Sequence, residues 1–223
     1  MTFSIAGRCA RTGMFGVVVT TSSLAVGSRC AFAKAGVGAV LTQHRTDPRL
    51  GPLGIDLMER GFTARQAMDA VVAATPHRDW RQLAFIDRDG GTASFSGTRV
   101  KPERGEVHGR DGVALGNIVR SSEVPAAMMR AFEADPGATL ATRLLAALEA
   151  GDRAGGEFIP LVSAALLIVD RQSFPYVDLR VDGDPDPIAA LAKLWRDYAP
   201  LAESFVDRAI DPDTAVVPAV SPT

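Results

Sequence analysis

A chain of 223 residues, 47% apolar and 22% charged with a formal net charge of −2, is long enough to bury a full core as one domain. No stretch approaches the roughly 20 consecutive apolar residues that cross a bilayer, and no basic segment precedes an apolar run at the start, so neither a membrane span nor a secretory signal is expected. Charges are scattered in pairs such as Asp87-Arg88-Asp89 rather than gathered into a basic face, which argues against a nucleic-acid surface.

The first half predicts strands. Residues 2–9 alternate Phe3 and Ile5 against Ser4 and Gly7, Ala10-Arg11-Thr12-Gly13 turns the chain, and residues 14–21 return through Val17-Val18-Val19 as a hairpin. Residues 30–34 and 37–43 form a second pair joined at Ala35-Gly36. The continuous apolar run 37–41 predicts a strand covered on both faces. Helices are expected at about 52–61 and from Thr63 to before Pro76, the second opened by the capping box Thr63-Ala64-Arg65-Gln66. Strands return at 81–87, 92–96 and 113–117, followed by helices at 123–134 and 140–149, strands at 161–169 and 176–181, and a closing helix at 187–206. A single domain is expected over 1–208, with a loose tail over 209–223. Strands and paired helices in this order do not fit a doubly wound parallel sheet. They predict an α+β fold, a four-layer αββα sandwich of two mostly antiparallel sheets.

Common catalytic signatures are absent. Ala35-Gly36-Val37-Gly38-Ala39 is a fragment of a dinucleotide fingerprint that leads into a strand where a helix is required, and no Gly-x-Ser-x-Gly elbow exists. His44, His77 and His108 fall in separate predicted loops without zinc spacing, so neither metal nor cofactor is expected. Cys9 and Cys30 are too few for a disulfide framework and sit on predicted strands as inert, reduced thiols, which places the protein in the cytoplasm.

Thr2 remains. Its small side chain permits methionine aminopeptidase to remove Met1, and the first strand starts at once. The exposed amine, with a reference pKa of about 7.7–8.0, and the hydroxyl then share one residue. The amine can take the Oγ1 proton and activate the hydroxyl for attack on a carbonyl. A chain that merely begins Met-Thr needs no such role; the immediate strand and the αββα order favour it.

Blocks along the chain carry a resemblance. Thr2-Phe3-Ser4-Ile5, Leu24-Ala25-Val26-Gly27, Ala35-Gly36-Val37-Gly38-Ala39, Thr42-Gln43 and Gly116-Asn117 resemble DUF1028, a bacterial domain of unknown function. So do Glu149-Ala150-Gly151, Gly155-Gly156, Ser163-Ala164-Ala165-Leu166 and 176–181, in the same order up to about the closing helix. The resemblance implies the N-terminal-nucleophile hydrolase superfamily, the αββα fold and an amidohydrolase-type site at Thr2. It supplies no substrate. Phe158-Ile159-Pro160-Leu161-Val162 stands where a basic, Gln-containing stretch is expected, and His44-Arg45-Thr46 where an aromatic and an Asn are expected.

Roles follow from residue chemistry. Lys34, at a strand end, is either the cation that depresses the Thr2 amine pKa or an ordinary surface lysine. Asn117 either presents its amide to a tetrahedral oxyanion or shapes a turn. Ser22 and Ser23 could orient the amine or be loop serines. Gln43 could bind substrate or pair with backbone, and Asp178 could hold the amine or Lys34, or pair with Arg180. Arg29, Arg45, Arg49 and Arg120 fall near strand ends, where a guanidinium would take a carboxylate in a planar fork. The expected function is a cytoplasmic threonine amidohydrolase acting on a small anionic amide or ureide. It is expected as a homodimer or higher homo-oligomer, with no nucleic-acid or membrane partner. The alternatives are a proteasome-like peptidase and an inactive sandwich that binds a ligand or a partner protein.

Overall fold

The structure is a computed structural model and describes residues 1–216. In chain order it contains β1 (Thr2–Arg8), β2 (Phe15–Thr21), α1 (Gly27–Cys30), β3 (Ala31–Lys34), β4 (Gly38–His44), α2 (Leu50–Glu59) and α3 (Ala64–Ala74). Then come β5 (Arg81–Asp87), β6 (Thr92–Ser96), β7 (Arg104–Gly109), β8 (Gly112–Asn117), α4 (Glu123–Glu133) and α5 (Leu140–Arg153). The chain finishes with β9 (Ser163–Val169), β10 (Val177–Val181), α6 (Pro187–Tyr198) and α7 (Ala202–Ile210). Every strand pairing is antiparallel, in a six-stranded sheet ordered β10-β9-β2-β1-β8-β7 and a four-stranded sheet ordered β3-β4-β5-β6.

Three apolar layers hold the sheets and helices together. Phe3, Ile5, Met128, Phe132, Leu144 and Leu148 join the large sheet to α4 and α5. Ala6, Phe15, Val17, Leu41, Ile86 and Leu115 fill the space between the sheets. Val40, Phe85, Met58, Met68 and Val71 join the small sheet to α2 and α3. The four-layer αββα arrangement is therefore present. β4 explains the unbroken apolar run, since Val40 faces α2 and α3 while Ala39 and Leu41 face the other sheet. The close seat of α2 on this sheet needs a glycine: a Cβ at Gly54 would stand 2.5 Å from the Phe85 ring. α3 opens with the expected capping box, Thr63 and Gln66 each satisfying the other's backbone amide.

Several elements differ from the sequence reading. β7 was not foreseen, because an edge strand with a half-exposed face carries polar residues and only Val107 as a branched apolar side chain. His108 belongs to it rather than to a loop, and its ring nitrogens contact Thr92 Oγ1 and Ser94 Oγ at 2.7 Å each, tying β7 to β6. The closing helix is broken into α6 and α7 by a 3₁₀ turn over Ala199–Leu201, where Pro200 removes a helix donor. Helical structure runs to Ile210, past the expected start of the tail, and 217–223 lie outside the described residues. Cys9 follows β1 and Cys30 closes α1; both are buried and unpaired with one another. Among the described residues no helix is long and apolar enough to cross a membrane.

A polar chain crosses the inter-sheet layer. Ser4 Oγ donates to Gln43 Oε1 at 2.7 Å, and Gln43 Nε2 donates to Gln82 Oε1 at 2.6 Å. Asn117 Nδ2 donates to the same oxygen at 3.0 Å, while Gln82 Nε2 reaches Gly116 O at 3.1 Å and Ser96 Oγ at 3.2 Å. Ser4, Gln43, Gln82 and Asn117 are fully buried, so each group depends on the others for a partner. The chain spans β1, β4, β5 and β8 and fixes the two sheets against each other at the end where β1 begins.

Gln82→Leu should lower stability by at least about 2 kcal/mol, since it leaves the Gln43 and Asn117 amides buried without their acceptor. Phe3→Ala should cost about 3–5 kcal/mol through the cavity it opens, whereas Lys34→Met at the surface should change stability by less than about 0.5 kcal/mol. Urea unfolding of the three variants measures all of this; a Lys34→Met loss as large as that of Phe3→Ala would contradict the layer assignment.

Candidate functional site

β1 is flanked by β2 and β8, with Thr2 paired to Asn117. Side chains alternate along a strand, so burying Phe3 and Ile5 against α4 and α5 turns Thr2, Ser4 and Ala6 toward the other sheet. Thr2 is 6% exposed and sits at the edge of a cavity of about 740 Å³ at this end of the sandwich. The strand ends β2, β4 and β8 and the segments after β6 and before β5 close it, contributing Thr21, His44, Ile118, Lys101 and Trp80. Thr21 Oγ1 lies 3.5 Å from Thr2 Oγ1. Both hydroxyls point at the Met1 carbonyl, Thr21 Oγ1 donating to it at 2.5 Å.

The walls are cationic. Arg29, Arg45, Arg99 and Lys101 line the cavity, and no carboxylate does among the described residues. Trp80 organises this face: the Arg45 and Arg99 guanidinium carbons lie 5.5 and 5.2 Å from its ring centroid, and the His44 ring is stacked at 6.3 Å. Two lining residues have left-handed backbone, His44 at φ 62° and Ile118 at φ 54°. For a β-branched residue such as Ile118 this conformation is costly, and strain of this kind concentrates at functional sites.

Electrostatics centre on the terminal amine. In the chain that carries Met1, burial pulls the Met1 amine below its ordinary value; Glu157 opposes that shift and Lys101 adds to it. Glu157 is 5% exposed, and burial pushes its carboxyl up. Its Oε2 accepts the Ser22 N–H at 3.1 Å, while its Oε1 is buried without a partner among the described residues. Gly155 and Gly156, at φ 129° and 55°, turn the chain so that this carboxylate enters the protein. Arg120 holds the turn by donating to the carbonyls of Glu157 at 2.7 Å and Phe158 at 3.0 Å. Cys30 lines the cavity too, but burial pushes its thiol up and makes it a poor nucleophile near neutral pH.

The sequence-derived residues divide accordingly. Thr2, Arg29 and Arg45 come together at the cavity. Lys34 does not: it lies four residues along β3 from Cys30, roughly 13 Å of strand, and pairs with Glu59 at 2.6 Å. Lys101 is the cation that faces the amine instead. Asp178 is also remote, on edge strand β10 and separated from β1 by β9 and β2. Asn117 stands opposite Thr2, yet its Nδ2 donates to Gln82 Oε1 and its Oδ1 is buried without a partner among the described residues. Gln43 is fully buried between Ser4 and Gln82 and does not line the cavity. Ser22 acts through its backbone amide on Glu157, and Ser23, not Ser22, lines the cavity, accepting from Arg29 Nη2 at 2.6 Å. Arg49 pairs with Asp47 at 2.8 Å, and Arg120 serves the Glu157 turn rather than the cavity. Trp80, Arg99, Lys101 and Glu157 were missed; only the paired glycines before Glu157 marked its segment in the sequence. Among the described residues no group of three or more His, Cys, Asp or Glu side chains is placed to hold a metal ion.

A solved structure of protein SPO2555 from Silicibacter pomeroyi, a DUF1028 protein, is 33% identical, with 89% of this chain and 86% of that one covered at a TM-score of 0.83. Anbu, the ancestral beta-subunit, from Yersinia bercovieri is 11% identical at a TM-score of 0.41, covering 99% of this chain and 100% of that one. The Gly-1 mutant of Anbu from Hyphomicrobium sp. strain MC1 is 14% identical at 0.40, covering 92% and 97%. Likenesses that slight carry no argument about this chain. No curated protein matches it. From residue 2 to residue 191 the chain matches the family of unknown function DUF1028, and it belongs to that family.

Proposed function

We propose that this protein is an N-terminal threonine hydrolase that cleaves a C–N bond of a small anionic amide or ureide once Met1 has been removed. The observation that carries this reading is the position of Thr2: a buried strand end that opens into a cation-lined cavity, with a carbonyl beside its hydroxyl already met by Thr21. In the proposed reaction the free Thr2 amine takes the Oγ1 proton, directly or through a water, and Oγ1 attacks the substrate carbonyl. The C–N bond breaks, the amine's proton passes to the leaving nitrogen, and water then releases the acyl group from Oγ1. Thr21 Oγ1, which now donates to the Met1 carbonyl, supports the role of donor to the developing oxyanion. Burial and Lys101 lower the proton affinity of the Met1 amine while Glu157 opposes them, and the Thr2 amine freed one residue further in would meet the same groups.

Substrate charge follows from the walls. Four cations with no lining carboxylate, in a chain of net charge −2, favour a carboxylate-bearing ligand. Arg45 is the plainest candidate to take it, since its guanidinium rests on Trp80 and is presented as a rigid fork.

Thr2→Ala should lower kcat/KM by about 10³-fold or more while leaving the fold intact, and Thr2→Ser should keep a measurable part of the rate. A panel of small amides and ureides provides the assay. An uncleaved amino-terminal extension should be as damaging as Thr2→Ala, because an amide nitrogen cannot accept the proton; full activity with a verified extension excludes the mechanism. The rate should rise with pH as the Thr2 amine deprotonates, with its midpoint below the reference value of about 7.7–8.0, because Thr2 is 6% exposed and buried surroundings favour the neutral form. Arg45→Gln should raise KM by about tenfold for an acidic substrate and leave its neutral analogue unaffected. Equal losses for both would refute the charge argument.

A further inference from the structure

His44 ends β4 at the cavity, and three features set it apart from a surface histidine. Its Nδ1 lies 2.9 Å from the Trp80 carbonyl oxygen, an atom that can only accept, so Nδ1 carries the proton and Nε2 keeps its lone pair. No protein partner for Nε2 occurs among the described residues. The backbone is left-handed at φ 62°, which turns the chain at the strand end and brings the ring to the cavity wall. Last, the ring stacks on Trp80 at an interplanar angle of 12°, which limits its rotation.

We propose that His44 is the base that draws a proton from the attacking water when an acyl group leaves Thr2. This rests on the reading of Thr2 as nucleophile given above. The water oxygen bonds to the acyl carbon while its proton passes to Nε2; the acyl–Oγ1 bond then breaks and Oγ1 takes the proton back from the imidazolium. Water supplies the oxygen and hydrogen that the products gain, and His44 ends as it began. A neutral imidazole is needed for the first transfer. Partial burial lowers the His44 proton affinity, and the facing charges that remain once Met1 is removed are cations, Arg45 and Lys101, with Arg81 beside it on β5. Asp47, three residues further along the chain, is engaged by Arg49 and Arg81.

The test uses p-nitrophenyl acetate on the full chain with Met1 removed. His44→Asn suits the positive φ and can still donate to the Trp80 carbonyl, so it preserves the turn while removing the base. The initial release of p-nitrophenolate should stay within about twofold, the steady-state rate should fall by about 10²-fold, and intact mass should show the acetyl group accumulating on Thr2. An unchanged steady state, or a burst that falls in parallel with it, overturns the assignment. A second readout needs no turnover. Nitrogen-15 spectra should find His44 as the Nδ1–H tautomer titrating below the ordinary 6.5, and an Nε2–H tautomer overturns it. Failure of wild-type Thr2 to acetylate would sink the nucleophile reading instead, and the His44 spectrum would still decide the placement of its proton.

Discussion

The alternation of β1 is the constraint on which the rest depends. Phe3 and Ile5 are drawn into the layer beneath α4 and α5, and a strand cannot bury them there without turning Thr2 and Ser4 to the opposite face. A slip of one residue would put Phe3 in the inter-sheet layer and Thr2 under the helices. Two aromatic and aliphatic side chains fully buried, each worth about 1.5–3 kcal/mol, therefore set the direction of a hydroxyl they do not touch. The polar chain from Ser4 through Gln43 and Gln82 to Asn117 then ties the two sheets together at that end.

Much of the fold was legible because its signals are local. The first hairpin, the Thr63 capping box and the doubly buried run at 37–41 each follow from spacing within a few residues. What failed was of another kind. β7 has no apolar face to announce it, since it gains its partners from β8 alone in its sheet, and the closing helix was extended through Pro200 despite the missing donor.

The site was less legible than the fold, for a physical reason. Thr2 was singled out because the chemistry proposed for it depends on its following Met1. Its surroundings come from loops far apart in sequence, and only the packing of two sheets brings Trp80, Arg99, Lys101 and Glu157 to it. Lys34 illustrates the error: it is a cation at a strand end, but at the end of β3 remote from the cavity, where it pairs with Glu59. Gln43 and Asn117 were weighed for substrate and oxyanion contacts, and in the structure the amide of each donates to Gln82 in the inter-sheet network. His44 was placed in a loop and given no role, because nothing in its neighbours forecasts a left-handed turn or a carbonyl at its Nδ1.

The central claim is that Thr2, as a free terminus, is the nucleophile, and covalent mapping tests it most directly. A strained β-lactone acylates an activated hydroxyl and leaves ordinary ones untouched. After reaction with the untagged protein, the peptide carrying the adduct is identified by mass. The account predicts one adduct per chain, on Thr2 of a chain lacking Met1. An adduct elsewhere with Thr2 unmodified, or labelling that proceeds equally in a chain that retains Met1, would contradict it.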